Sequence, residues 1–186
     1  VIELLDFAWL TNDGDDKLCL VLPRAEYSLA DHIRDSGTLD AVEGRELLRA
    51  LADGMASIHD SGVLHRDINP RNVLWLDERW TLSDFGISKD YRRGPSTSTW
   101  EGTGTFEYWS LELFRDEEAS PQSDMFAAGA TVVEAMTGRV LFPGPRHFDQ
   151  RLAFDAGLPE VADRTLAMVL ARVLALDPLS RPTHAN

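Results

Sequence analysis

The stretch SPQSDMFAAGATVVEAMTG, residues 120–138, is apolar on nearly every side once wound into a helix, and this constrains the chain more than any other feature. A helix of that kind has no wet face, so it belongs inside a domain whose other elements close around it. Ser120 suits the N-cap, Pro121 the first helical position and Gly138 the stop. Its longest apolar run, MFAAGATVV (125–133), ends at Glu134 and falls short of the roughly 20 residues that a bilayer span needs. With 186 residues and 44% hydrophobic content, the chain can bury such a helix as one domain or as part of a larger one.

Around that helix the pattern is mixed. VIELLDFAWL (1–10) and LCLVLP (18–23) are apolar runs separated by TNDGDDK, which predicts a hairpin. Its acidic turn lacks the glycine position and closing glutamate of a calcium loop. No signal or transit segment is expected, because Val1 opens directly in strand-like sequence. A short helix is predicted from Leu29 to Arg34. A longer amphipathic one is predicted between Asp40 and Asp60, where Val42, Leu47, Leu48, Leu51, Met55 and Ile58 recur at helical spacing before Gly62. VLWL (73–76) and RWTLS (79–83) read as two short strands, residues 89–104 as a long loop, and 159–176 as helical up to Asp177-Pro178.

Charge narrows the function classes. There are 18 basic and 31 acidic residues, a net charge of -13, and such a surface repels nucleic-acid backbones and anionic lipid. Nucleic acid is therefore excluded as an expected partner, and no membrane segment is expected. The single cysteine, Cys19, cannot form an internal disulfide; it reads as an apolar filler, consistent with a reducing compartment.

Three polar residues stand at the ends of apolar pieces: Asp67, Asn72 and Asp84. If VLWL and RWTLS pair antiparallel, Asn72 just before the first and Asp84 just after the second emerge at the same end of the hairpin. An amide oxygen and a carboxylate together suit a magnesium ion that keeps several waters and takes other ligands from substrate phosphates. Asp67 is then free to accept a proton from an attacking hydroxyl. Each residue alone reads equally as a turn former.

Together, HRDINPRN (65–72) and DFG (84–86) resemble the catalytic loop and magnesium-binding triplet of eukaryotic-type (Hanks-type) serine/threonine protein kinases. GTFEYWSLE (104–112) is similar to that family's GT-x-x-Y-x-(A/S)-P-E, SDMFAAG (123–129) to its D-x-(W/F)-(S/A)-x-G, and DPLSRPT (177–183) to its D-P-x-x-R-P-T. The five motifs fall in the family's order. The resemblance implies ATP and Mg2+ as cofactors, with Asp67 as catalytic base and Asn72 and Asp84 binding the metal. It implies that Thr105 bonds the catalytic aspartate, that Glu112 pairs with Arg181, that Asp124 anchors the catalytic loop, and that Arg66 pairs with a negative charge on the activation segment. LCLVLPRAEYSL (18–29) looks like the fifth strand and hinge, with Leu22 as gatekeeper, the Pro23 carbonyl and Ala25 N–H toward adenine, and Leu74 as the floor of the adenine pocket. Proline lacks an N–H but keeps its C=O, so Pro23 is compatible with that role.

The sequence departs from the family in several places. Asn69 stands where serine/threonine kinases carry a lysine for the transferred phosphate, and Arg71 is expected to supply the missing cation, as an arginine there does in many tyrosine kinases. Thr105 and Pro70 favour serine/threonine specificity. Leu111 replaces a proline, and Glu101 is expected to offer Arg66 a built-in negative charge. Ser96, Thr97, Ser98, Thr99 and Thr103 are candidate phosphosites.

The expected class is α+β: a mainly helical kinase C-terminal lobe with short β-hairpins, plus the hinge and the last strands of the N-terminal lobe. Residues 1–23 are read as residual N-lobe strands, 24–28 as hinge and 29–186 as C-lobe truncated at its last helix. No G-x-G-x-x-G or strand lysine with its helix glutamate is found, so the fragment alone is expected to be nearly inactive. The implied substrate is a protein, and the implied location is the cytoplasm, either free or as the cytosolic part of a membrane-anchored protein. Two alternatives are a pseudokinase scaffold, opposed by the retention of Asp67, Asn72 and Asp84, and a phosphotransferase of the aminoglycoside type, opposed by GTFEYWSLE and the Glu112 and Arg181 pair.

Overall fold

The computed structural model describes residues 1–12, 15–86, 88–90, 105–115, 117–143, 147–152, 158 and 161–182. Its centre is the apolar helix, here α4 (Pro121–Thr137), which buries Phe126, Ala128, Ala130, Val132 and Ala135 on successive sides. The Ser120 N–H donates to the Ser123 hydroxyl at 3.2 Å at its start. Gly138 ends it at φ 70°, and its N–H donates to the Glu134 carbonyl at 2.7 Å.

Two helices pack on α4. The first, α2 (Ala41–Asp60), starts at a reciprocal cap in which the Asp40 carboxylate accepts from the N–H groups of Val42 and Glu43 while Glu43 accepts from the Asp40 N–H. It buries Leu47, Leu51, Met55 and Ile58, each side chain contributing about 1.5–3 kcal/mol against exposure. The second, α6 (Arg164–Val173), brings Leu166, Leu170 and Val173 into the same core. The predicted range of 159–176 is too long. Asp163 accepts from the Leu166 N–H and so caps the helix, while at the other end Asp177 accepts from the Leu179 N–H and opens a separate 3-10 turn, Pro178–Ser180.

Strand residues Val73, Trp80 and Leu82 join the same core. β1 (Asp6–Asn12) and β2 (Asp15–Val21) pair antiparallel, Asp6 opposite Val21. The first strand thus begins at Asp6, not at residue 1; the preceding residues run alongside, with the Ile2 N–H on the Leu82 carbonyl at 2.8 Å. After β3 (Tyr27–Ser28), the capped helix α1 (Leu29–Asp35) occupies the predicted place. β4 (Val63–Leu64) follows α2. β3, β5 (Val73–Leu76) and β6 (Arg79–Leu82) form a three-stranded antiparallel sheet in that order. Asp77 and Glu78, at φ 49° and 58°, form the two-residue β5–β6 turn, whose left-handed pair matches the twist of the strands.

The stretch predicted as loop from residue 89 begins instead as a strand, β7 (Lys89–Asp90), because Val63–Leu64 offers it a backbone partner. Glu101 and the five candidate phosphosites lie outside the described residues. The short α3 (Leu111–Phe114) and α5 (His147–Leu152) complete the helices among the described residues. None of the helices in those residues is long and apolar enough to cross a membrane.

Candidate active site

Residues 65–72 run from β4 to β5 across the start of α4, and Asp124 ties them down. Its carboxylate accepts from the backbone N–H groups of His65 and Arg66, each at 2.9 Å, and lies 2.9 Å from Nε2 of the buried His59. Such bonds hold a charge that is almost wholly removed from water. His65 ties the same segment to the end of β6, with Nε2 2.8 Å from the Ser83 carbonyl. Ser83 in turn donates its N–H and hydroxyl to the Asn72 carbonyl, at 2.9 and 3.0 Å. Burial pushes the His65 imidazole below its ordinary pKa, in favour of the neutral form.

Asp67 is half-buried, and both of its carboxylate oxygens are held. Oδ1 accepts from the Thr105 hydroxyl at 3.1 Å and the Thr105 N–H at 3.3 Å, while Oδ2 accepts from the Asn72 amide at 2.9 Å. The same amide donates to the Asp67 carbonyl at 2.8 Å. Both donors of Asn72 therefore face Asp67, which leaves its amide oxygen to face elsewhere. Asp84 follows β6 and is exposed. It holds φ 61°, an uncommon conformation for a residue with a side chain, and its Oδ1 accepts from the Gly86 N–H at 3.1 Å. With Val73 opposite Leu82, Asn72 and Asp84 leave the hairpin at the same end.

A model of the protein kinase domain matches residues 1–186, the whole chain. The chain belongs to the protein kinase domain family. It is 30% identical over its full length to the serine/threonine-protein kinase pkn2 of Myxococcus xanthus, matching 24% of that protein. Over 68% of its length it is 35% identical to PknL of Mycobacterium tuberculosis, covering 35% of that relative. It is also 29% identical to PDK1 of Cryptococcus neoformans over 92% of its length and 15% of the relative's. It thus spans between about a seventh and a third of these kinases.

Other kinase-motif residues meet as well. The Arg181 guanidinium grips Glu112 with two nitrogens, at 2.5 and 3.0 Å, and donates further to the carbonyls of Ala175, Gln122 and Leu176. Burial would raise the Glu112 pKa, but the Arg181 hydrogen bond and charge outweigh it and hold the carboxyl below its ordinary value. Leu22 is exposed, Pro23 and Ala25 are half-buried, and Leu74 lies opposite Ser28 on the neighbouring strand.

Asn69, read from sequence as a lost lysine, is buried and fully engaged. Its amide donates to the Asp67 carbonyl at 3.0 Å and the Thr105 hydroxyl at 3.4 Å, and its oxygen accepts from the Arg71 N–H at 3.0 Å. Arg71 is exposed, and its charge acts on Glu134 and Tyr108, themselves joined by a 2.5 Å hydrogen bond. Desolvation raises both of their pKa values. Sequence reasoning missed His59, the bridging amide of Asn69 and the Tyr108–Glu134 pair. Each depends on a partner at least 26 positions away or on a loop conformation, which no local pattern encodes.

Proposed function

We propose that this chain is the catalytic part of a serine/threonine protein kinase that transfers the γ-phosphoryl of ATP to protein hydroxyls. The observation that carries the reading is the Asp67 carboxylate held on one oxygen by Thr105 and on the other by Asn72. A carboxylate fixed in that way, and still partly open to solvent, can orient an acceptor hydroxyl and take its proton as the oxygen attacks the γ-phosphorus and ADP leaves.

The Asn72 amide oxygen and the Asp84 carboxylate are the ligands this chain offers to Mg2+, which would neutralise phosphate charge. Among the described residues no cluster of three or more His, Cys, Asp or Glu side chains could hold a metal, so the ion's remaining ligands would be water and phosphate. Leu22, Pro23, Ala25 and Leu74 serve the adenine, and Arg71 serves as the cation nearest the transferred group. In this reading residues 1–23 are the last N-lobe strands, 24–28 the hinge and 29–186 the C-lobe. A domain that uses ATP would work in the cytosol, either free or as the cytosolic part of a membrane-anchored protein.

The test uses the full-length protein, since the family's glycine-rich loop and lysine are also needed. Asp67→Asn should cut phosphoryl transfer by about 10²–10⁴-fold while leaving ATP binding intact. Asp84→Ala should abolish Mg2+-dependent ATP binding. Transfer at the wild-type rate in Asp67→Asn would overturn the reading.

A further inference from the structure

Arg151, on α5, is fully buried, with 0% of its surface exposed. A guanidinium in the interior demands donors matched to acceptors. Three of its acceptors are backbone carbonyls. It donates to the Phe106 carbonyl at 2.9 Å, the Glu107 carbonyl at 2.8 Å and, through Nε, the Trp109 carbonyl. The rings of Phe142 and Phe114 stand 4.2 and 4.9 Å from its centre, enclosing the charge in an aromatic box. Burial pushes its pKa down to about 9, which leaves it charged at neutral pH.

The gripped carbonyls belong to the turn directly after Thr105, the residue whose N–H and hydroxyl hold Asp67. The turn's own bonds are few: the Tyr108 N–H to the Thr105 carbonyl at 3.0 Å and the Trp109 N–H to the Phe106 carbonyl at 3.2 Å. An aliphatic side chain could fill the aromatic box without the desolvation cost. Only a planar fork of donors can also aim three carbonyls at one point.

We infer that Arg151 is a positioning residue: by gathering the carbonyls of Phe106, Glu107 and Trp109 on one guanidinium it sets the turn that delivers Thr105 to Asp67, and so couples α5 to the acceptor side of the site. The catalytic half of this inference rests on the kinase reading above; the structural half does not.

Two measurements on the full-length protein separate them. In Arg151→Met, amide hydrogen exchange at Thr105, Tyr108 and Trp109 should speed up about tenfold, the loss of roughly one charge-assisted hydrogen bond, while His65 and Arg66, held by Asp124, stay protected. With myelin basic protein as acceptor, its kcat/KM should fall by a similar factor while the KM for ATP stays within about twofold. Unchanged exchange at those three amides overturns the inference, and so does an ATP KM that worsens in step with the acceptor term. A wild-type protein with no transfer activity sinks the kinase reading instead, and exchange still decides the role of Arg151. Should Arg151→Met open His65 and Arg66 as well, Arg151→Lys, which keeps the charge and stem but not the fork, is read in the same way. General unfolding in both variants would assign Arg151 to bulk stability and reject the coupling.

Discussion

His65 illustrates how one titrating side chain can report on the site. Its Nε2 faces the Ser83 carbonyl, which can only accept, and its Nδ1 faces the Asp67 N–H at 3.3 Å, which can only donate. That combination requires the neutral Nε2–H tautomer, and desolvation lowers the pKa in the same direction. Because the folded value lies below the ordinary 6.5, the contribution to stability is complete above that pH and is lost as pH falls toward the folded value. Ring resonances followed by NMR should therefore show His65 titrating below an unperturbed histidine. A half-titrated His65 at its ordinary pKa would contradict the hydrogen-bond assignment. Asn69 belongs to the same scale: its amide joins Asp67, Thr105 and Arg71, which a lysine, having donors only, could not do.

Helix packing turns on two glycines that differ in what faces them. A Cβ added at Gly129 of α4 would stand 2.7 Å from a methyl of Val173 and 3.2 Å from Leu174, both buried in the core. A β-branched neighbour cannot swing aside, so Gly129→Ala should destabilise by about 1–3 kcal/mol despite its better helix propensity. At Gly44 of α2 the obstruction is the flexible end of Met136, with its sulfur 2.7 Å away. Met136 can rotate, and the alanine gains up to about 1 kcal/mol of propensity, so Gly44→Ala should be neutral or mildly stabilising. Urea midpoints of the two variants check this contrast; equal losses would mean that α2 and α6 press on α4 with the same rigidity.

At the level of the whole molecule, Asp124 joins the core helix to the segment that carries Asp67. One carboxylate at the start of α4 holds His59 of α2 and the backbone N–H groups of His65 and Arg66. Asp124→Asn keeps the volume but turns one acceptor into a donor, leaving a buried N–H unsatisfied. The expected loss is about 1–3 kcal/mol in a denaturant titration. Since the same bonds orient the residues leading to Asp67, activity should fall beyond what the lost stability explains. A variant destabilised but equally active per folded molecule would show that the anchor serves the core alone. The Glu112–Arg181 pair does similar work at the other end, bringing the segment after the turn onto the carbonyls that follow α6.

Much of this was legible in the order of residues. All-round apolarity marked α4 as the interior helix, three- and four-residue spacing marked α2, and the ordered motifs marked Thr105 as a partner of Asp67, Glu112 as that of Arg181 and Asp124 as the anchor of the 65–72 segment. These signals are local or act through a family pattern, so a linear reading reaches them. Where α6 starts was less legible, because Asp163 decides it through a side-chain bond to the Leu166 N–H. Only the tertiary structure placed Arg151 under the turn after Thr105, His59 against Asp124 and Asn69 between Asp67 and Thr105. Their donors and acceptors are matched by the way distant segments pack, and no periodicity records which carbonyl a buried side chain will meet.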